Sequence, residues 1–232
     1  MTSRSGGIAR LRRFVPAFVA LAAVALSATP MAAGVRSTTE VRSYRVYGNS
    51  PAALVSFMRS QPLQGDRGAA VANIHPYYSL SMASKPSAGG VCRATSVNVN
   101  IRFVMTLPQA SSKGSFTPGT NAAWNNFASF AKTHEETHRR IYVDCANGFV
   151  AKALKLTSST SCPALEANIR RLFEAEKRGC DSRQLAFDMR DYKRVFGLSL
   201  FKLAKSPVTK PKPARISAAT GGGSSAIAAP PP

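Results

Sequence analysis

The chain has 232 residues and a formal net charge of +20, because 31 lysine and arginine residues outnumber 11 acidic ones. Eight of the basic residues lie in two terminal segments, 1–33 and 205–232, which leaves a net charge of +12 on residues 36–204. No nucleic-acid-binding motif accompanies this charge, so specific binding of nucleic acid is not expected. A basic surface of this kind favours contact with anionic cell-envelope polymers or lipid headgroups.

Residues 1–33 have the layout of a signal peptide for export. Four arginines form a basic start, residues 14–28 are a short apolar run, and small residues follow near 28–34. The apolar run is shorter than the ~20 residues that a membrane-spanning helix needs, and no other stretch is long and apolar enough. We therefore expect an exported protein, periplasmic or secreted, with no transmembrane segment in the mature chain.

The other terminal segment, residues 205–232, consists mainly of Lys, Pro, Gly, Ser and Ala and ends in Pro-Pro-Pro. Such a composition cannot bury enough apolar surface to offset the entropy of ordering the chain, so this tail is predicted to be disordered. Residues 36–204 remain, which is long enough for one folded domain.

The first half of this domain has the pattern of β-structure. Residues 38–47 are rich in β-branched and aromatic residues, and Ser50-Pro51 opens a short predicted helix over 52–59. A strand over 71–82 is predicted to be interrupted at Pro76. Residues 92–106 alternate between apolar and polar side chains, as in a half-buried strand, and Pro108 is predicted to end it. Together these strands predict a small antiparallel β-sheet.

The second half has the pattern of two long helices. The first is predicted over about 122–156 with Thr120 or Asn121 as its cap, and Pro163 opens the second, which reaches about Phe196. A short polar loop joins them, so they are expected to pack antiparallel. The predicted fold class is therefore α+β: a small sheet followed by a pair of long helices.

The motif His134-Glu135-Glu136-Thr137-His138 lies on the first of these helices. Residues four apart share one face of a helix, so both imidazoles can reach a single Zn²⁺ ion at ~2.0–2.1 Å. Glu135 beside them is placed to take a proton from a water molecule that the zinc activates. Glu136 is expected to be a solvated helix residue.

Four cysteines remain to be paired in an oxidising compartment: Cys92, Cys145, Cys162 and Cys180. Their even number predicts two disulfide bonds, with three possible connectivities. No two of them have Cys-x-x-Cys spacing, which argues against a cysteine zinc site.

A third zinc ligand is not evident from the motif itself. His75 is expected to be an ordinary surface or half-buried histidine, and Asp144 lies ~9 Å beyond His138 along the helix axis, too far to share its metal. Cys145 falls on the same helical stripe as the two histidines and can bridge to Cys180 on the returning helix. That register places Asp188 and Asp191 opposite the zinc, and both remain candidates.

Several segments of the sequence resemble those of a known family. A Tyr-x-Val-x-Gly stretch at 44–48, a cysteine-led strand ending in Leu-Pro at 92–108, and Trp124 ahead of the His-Glu-x-x-His motif are similar to the bacterial domain-of-unknown-function family 922. The similarity covers about 38–195 and includes Cys162. It implies a secreted zinc-dependent protease, a Cys92–Cys162 bond, and hence Cys145–Cys180.

The end of the chain matches the family only in part. Phe187-Asp188 corresponds to the family's Tyr-Asp, whereas Lys193-Arg194 stands where a His-Gly pair is expected. The resemblance favours Asp188 over Asp191 as the third ligand. It also means that a family histidine is missing here, which leaves a degenerate binding site as an alternative.

These patterns predict an exported zinc metallopeptidase that hydrolyses peptide or protein substrates through a zinc-activated water, with Glu135 as the general base. The metal ligands are predicted to be His134, His138 and Asp188. Strand 96–106 is expected to bind substrate along its edge. The alternative is a non-catalytic cell-envelope binding module that attaches through its basic surface.

Overall fold

The computed structural model describes residues 34–66 and 68–205. The predicted signal peptide, residues 1–33, and residues 206–232 of the predicted tail lie outside these ranges. Among the helices of the described ranges, none has the length and apolar character needed to cross a membrane.

The described chain has an α+β fold with one mixed sheet, a two-stranded hairpin and four α-helices. A 3₁₀ turn at Lys113–Ser115 precedes the longest helix. The strands are β1 (Gly34–Val46), β2 (Leu63–Gly65), β3 (Gly68–Ala70), β4 (Asn73–Pro86), β5 (Cys92–Ala110) and β6 (Thr157–Ser158). The helices are α1 (Pro51–Ser60), α2 (Pro118–Ala153), α3 (Cys162–Phe196) and α4 (Ser199–Lys205).

The main sheet is mixed, so the prediction of an antiparallel sheet was wrong. The order is β1-β5-β4: β5 pairs antiparallel with β4 but parallel with β1, and β6 adds a short pairing at Cys92 and Arg93. The chain between β1 and β5 contains α1, the β2–β3 hairpin and β4. This long crossover brings β5 back beside β1 in the same direction, which no tight turn can do.

Two prolines lie inside strands that they were predicted to interrupt or end. Pro76 sits within β4, which has β5 on one side only in the described sheet, so the missing amide hydrogen need not break the ladder. Pro108 lies in β5 beyond Thr106, where the pairing with β4 has already stopped and only β1 continues. Strand edges without a neighbour tolerate proline at both positions.

The larger core lies between β5 and the two long helices. The predicted alternation of β5 is confirmed, since Val97, Val99, Ile101 and Phe103 are all at most 1% exposed. They pack with a group of α2 and α3 residues that includes Tyr142, Phe149, Leu165, Ile169 and Phe173. Burying such side chains contributes roughly 1.5–3 kcal/mol each, so this contact fixes both helices on one face of the sheet.

A second core cluster joins α1, the start of α2 and α4. Leu54, Trp124, Phe127 and Leu200 are buried in it.

The α2 helix begins at Pro118, earlier than predicted, because its cap is Thr117 rather than Thr120 or Asn121. The Thr117 hydroxyl oxygen accepts a hydrogen bond from the Thr120 amide at 3.2 Å.

Contacts between α2 and α3 pair rising residue numbers on one helix with falling numbers on the other. Lys152 bonds to Glu176, Cys145 to Cys180, and His138 to Gln184. The second disulfide bond, Cys92–Cys162, joins the start of β5 to the start of α3. These are the two cysteine pairs that the family resemblance implied.

Removing the Cys92–Cys162 bond should lower the free energy of unfolding by ~2–4 kcal/mol, because it closes a loop of 70 residues in the unfolded chain. The test is urea unfolding of the Cys92→Ser, Cys162→Ser double variant against the parent protein. Unchanged stability would show that this bond does not constrain the unfolded chain as proposed.

Candidate metal centre

The His-Glu-x-x-His motif lies in the middle of α2, on the side that faces α3. Glu135 and His138 are buried, at 4% and 7% exposure, and the side chain of His134 is 19% exposed. The helical spacing brings the two rings together, with 4.6 Å between their centroids. This burial argues against the alternative that the motif is only a solvated helix with two exposed histidines.

The opposite helix supplies a carboxylate to the same point. Asp188 Oδ1 lies 3.2 Å from Nε2 of His134 and 2.8 Å from Nε2 of His138. The two Nε2 atoms are 3.0 Å apart. Within the described residues, His134, His138 and Asp188 therefore form a group that could hold a metal ion.

The spacing of these three atoms fits a first-row metal ion. Ligands of a tetrahedral Zn²⁺ at 2.0–2.1 Å are about 3.3 Å from one another. The observed separations of 2.8–3.2 Å approach that value. Two imidazoles and one carboxylate are also a donor set found in catalytic zinc sites.

The other nitrogen of each imidazole is held by a neighbour on α3. His134 Nδ1 donates a hydrogen bond to Asp191 Oδ2 at 2.8 Å, and Arg194 holds the other oxygen of Asp191 at 2.6 Å. His138 Nδ1 donates to Gln184 Oε1 at 2.5 Å. Gln184 is fully buried, and its amide nitrogen donates to the carbonyl oxygen of His138 at 3.2 Å, which fixes the orientation of the amide.

These outer hydrogen bonds determine where the lone pairs point. A neutral imidazole that donates through Nδ1 carries its lone pair on Nε2. Two such nitrogens and an ionised carboxylate oxygen, all within 3.2 Å of one another, repel unless a proton or a metal ion lies among them. Protons and a metal ion compete for the same lone pairs, so the arrangement is suited to binding a cation.

The pKa shifts of Asp188 and His134 support the binding of a cation at this site. Burial alone would raise the pKa of Asp188, but hydrogen bonds from His134 and His138 outweigh it and hold the pKa well below its usual range. Burial alone would lower the pKa of His134, whereas the two carboxylates, Asp188 and Asp191, raise it overall. Asp188 is therefore ionised, as a metal ligand must be.

Glu135 occupies a different environment from Asp188. Burial raises the pKa of Glu135 to about 7, and the nearby histidines only partly oppose this shift. A carboxyl group with a pKa near neutrality exchanges protons readily at physiological pH, as a general base requires.

A cavity of about 540 Å³ opens beside the three ligand groups. His134, Glu135, His138 and Asp188 all line it. Its other walls are largely apolar or formed by small residues of the β2–β3 hairpin; they include Met58, Gly65, Ala69, Val71, Phe130, Tyr142, Tyr192 and Phe196. Glu135 and the ligand groups are therefore accessible to a bound molecule.

Other residues considered from the sequence lie elsewhere. His75 is half exposed and bonds Asp66 at 2.7 Å, Asp144 is exposed, and Glu136 pairs with Arg139 at 2.7 Å. Asp191 bonds Nδ1 of His134 rather than Nε2, and it is not among the three converging groups.

The expectation that strand 96–106 binds substrate along its edge was wrong. Residues 98–106 of this stretch lie at the centre of the sheet, with β1 hydrogen-bonded on one side and β4 on the other. The backbone groups of residues 98–106 are therefore already paired on both sides and cannot accept an added strand.

Sequence reasoning missed Gln184, because a single glutamine carries no motif. A signal was nevertheless present: Gln184, Asp188 and Asp191 follow one another at spacings of four and three, which places them on one face of α3. His134 and His138 on α2 are likewise four residues apart and share one helix face.

The fold and this site define a small α+β protein with a candidate metal centre of two histidines and an aspartate. Residues 41–194 match the model of a family described as bacterial protein of unknown function (DUF922), and the chain belongs to that family. Comparison with curated proteins and with solved structures gave no significant match.

Gln184→Met should weaken zinc binding about 10- to 100-fold, because it removes the acceptor that holds His138 Nδ1 while nearly preserving side-chain volume. Gln184→Glu, which keeps an acceptor oxygen, should retain most of the affinity. Competition with a zinc chelator measures both. Equal affinity of the Met variant and the parent protein would show that Gln184 only fills space.

Proposed function

We propose that this protein is an exported zinc-dependent peptidase that hydrolyses peptide bonds in peptide or protein substrates. One observation carries the proposal: the Nε2 atoms of His134 and His138 and a carboxylate oxygen of Asp188 converge beside buried Glu135 at an open cavity. We regard α2 and α3 as an antiparallel pair that carries a zincin-like active site.

The three converging groups would hold the zinc ion. Asp188 contributes the negative charge, while Asp191 and Gln184 keep the two Nε2 atoms directed at the site. When bound, zinc supplies a Lewis acid that lowers the pKa of water and polarises a substrate carbonyl. The chain itself must then provide proton transfer, orientation of the substrate and exclusion of bulk water.

Glu135 is the group that would transfer the proton. It follows His134 directly in the chain, lines the same cavity and is 4% exposed. In the proposed reaction it takes a proton from the attacking water and returns it to the leaving amine. Its raised pKa suits both steps, because the carboxyl group must accept and release one proton in each cycle.

The cysteine chemistry supports export. All four cysteines are in disulfide bonds, and such bonds persist in oxidising compartments but are rare in the cytosol. We therefore propose a periplasmic or secreted location, in agreement with the signal peptide that the sequence predicts.

The cavity supports a polypeptide as the substrate. Its volume of about 540 Å³ and its mostly apolar walls suit the apolar side chains of a peptide. The β2–β3 hairpin lines the cavity with Gly65, Gly68 and Ala69, and the absence of large side chains there leaves room for an extended chain.

A second candidate is the non-catalytic envelope-binding module. The observation that favours it is the series of exposed basic residues on α3, among them Arg183, Arg190 and Lys193. In that case the three converging groups would hold a metal ion or protons for structural reasons only. Measuring metal content and casein hydrolysis on the same preparation, with and without a chelator, separates the two functions.

Glu135→Gln should lower the hydrolysis rate at least ~100-fold, because an amide cannot accept the proton that the carboxylate takes. Zinc content should remain near one ion per chain, since Glu135 is not a ligand. The matched control is Glu136→Gln on the same helix. In the parent protein Glu136 pairs with Arg139, so this variant should cleave at the parent rate.

Casein cleavage and metal analysis together decide this test. Cleavage by Glu135→Gln at the parent rate would remove Glu135 as the general base. A zinc-loaded parent protein that cleaves nothing would remove the peptidase proposal and leave the binding module.

A further inference from the structure

Helix α3 carries exposed apolar side chains on a face that α2 does not cover. Leu185, Met189, Tyr192 and Phe196 are 49%, 71%, 64% and 39% exposed. Their spacings of four, three and four residues place them within about 60° of arc on the helix surface. We name these four residues the α3 stripe. Single exposed apolar residues are ordinary, but a contiguous row is typical of a binding surface.

The α3 stripe leads into the candidate active site. Its last two residues, Tyr192 and Phe196, line the cavity that also contains His134, Glu135 and Asp188. On the helix surface Asp188 lies on one side of the stripe, and Lys193 and Arg190 lie on the other. A molecule that follows the stripe towards the site therefore meets apolar side chains with a basic border.

Continuity with the cavity argues for one kind of occupant. A lipid surface seated on the stripe would cover Tyr192 and Phe196 and so obstruct the cavity that they line. An extended polypeptide can instead lie along the stripe and continue into the cavity. Acidic residues in it would complement Lys193 and Arg190, whose side chains are exposed.

Resting on the proposed peptidase function, we infer that the α3 stripe is a docking surface for the substrate, a polypeptide with large apolar side chains and neighbouring acidic residues. The stripe binds the part of the substrate beyond the scissile bond. Its two outer members, Leu185 and Met189, are absent from the cavity lining and are not among the three converging groups, so they add affinity without taking part in the reaction.

Binding can be tested without hydrolysis in the Glu135→Gln background. The probe is a fluorescent 12-residue peptide that alternates Leu or Phe with Glu, followed by anisotropy. Leu185→Ser with Met189→Ser should weaken its binding about tenfold, because two apolar contacts are lost. The control Val41→Ser, at a comparably exposed apolar residue of β1, should leave affinity unchanged.

The basic border has its own matched pair. Lys193→Glu should weaken binding of the Glu-containing peptide several-fold at low salt and much less at 1 M salt. Lys85→Glu, at an exposed lysine of β4, should have no such effect. In the same Glu135→Gln background, a peptide with Lys in place of Glu should bind more weakly than the acidic peptide.

The outcomes separate the docking surface from the reaction. Equal peptide binding by the stripe variant and the Val41→Ser control would overturn the inference. So would phosphatidylglycerol vesicles, or a second copy of the chain, binding through the stripe while the peptide does not. Stripe-dependent peptide binding in a zinc-loaded protein that cleaves no casein would support the docking surface and overturn only the peptidase function.

Discussion

The candidate metal centre depends on the register between α2 and α3, because two of its ligands come from one helix and the third from the other. The Cys145–Cys180 bond holds the two backbones 5.9 Å apart between Cα atoms, and the buried Gln184 bonds both the ring and the carbonyl of His138. A slip of one helical turn would move Asp188 by about 5.4 Å and separate it from both imidazoles. The disulfide bond and the buried amide of Gln184 therefore hold α2 and α3 in the register that brings the three groups together.

Concentrating charge between two helices is costly unless each group has a partner. Here Asp188 faces both histidines, and Asp191 lies between His134 and Arg194. Arg194 bonds Asp191 at 2.6 Å and so balances its charge. Glu135 is also buried, and the nearby histidines only partly oppose the effect of burial, so its pKa rises to about 7. Unequal environments thus shift the pKa values of two neighbouring carboxyl groups in opposite directions.

Much of the site was predictable because helical periodicity is local. The spacing of His134 and His138 and the position of Cys145 relative to Cys180 locate Asp188 to within a turn. The sheet was less predictable, because the parallel pairing of β1 with β5 depends on contacts between residues more than sixty positions apart. Pro76 and Pro108 were misjudged for the same reason: their effect depends on which strand edge has a neighbour. Gln184 carries no recognisable motif, so only the packed structure reveals its contact with His138.

The most direct test of this account is a crystal structure of the zinc-soaked protein with anomalous diffraction recorded at the zinc edge. We expect one anomalous peak per chain, bonded to Nε2 of His134, Nε2 of His138 and a carboxylate oxygen of Asp188, with Asp191 still bonded to Nδ1 of His134. No peak at this position, or a zinc ion held by Asp191 with Asp188 turned away, would contradict the account.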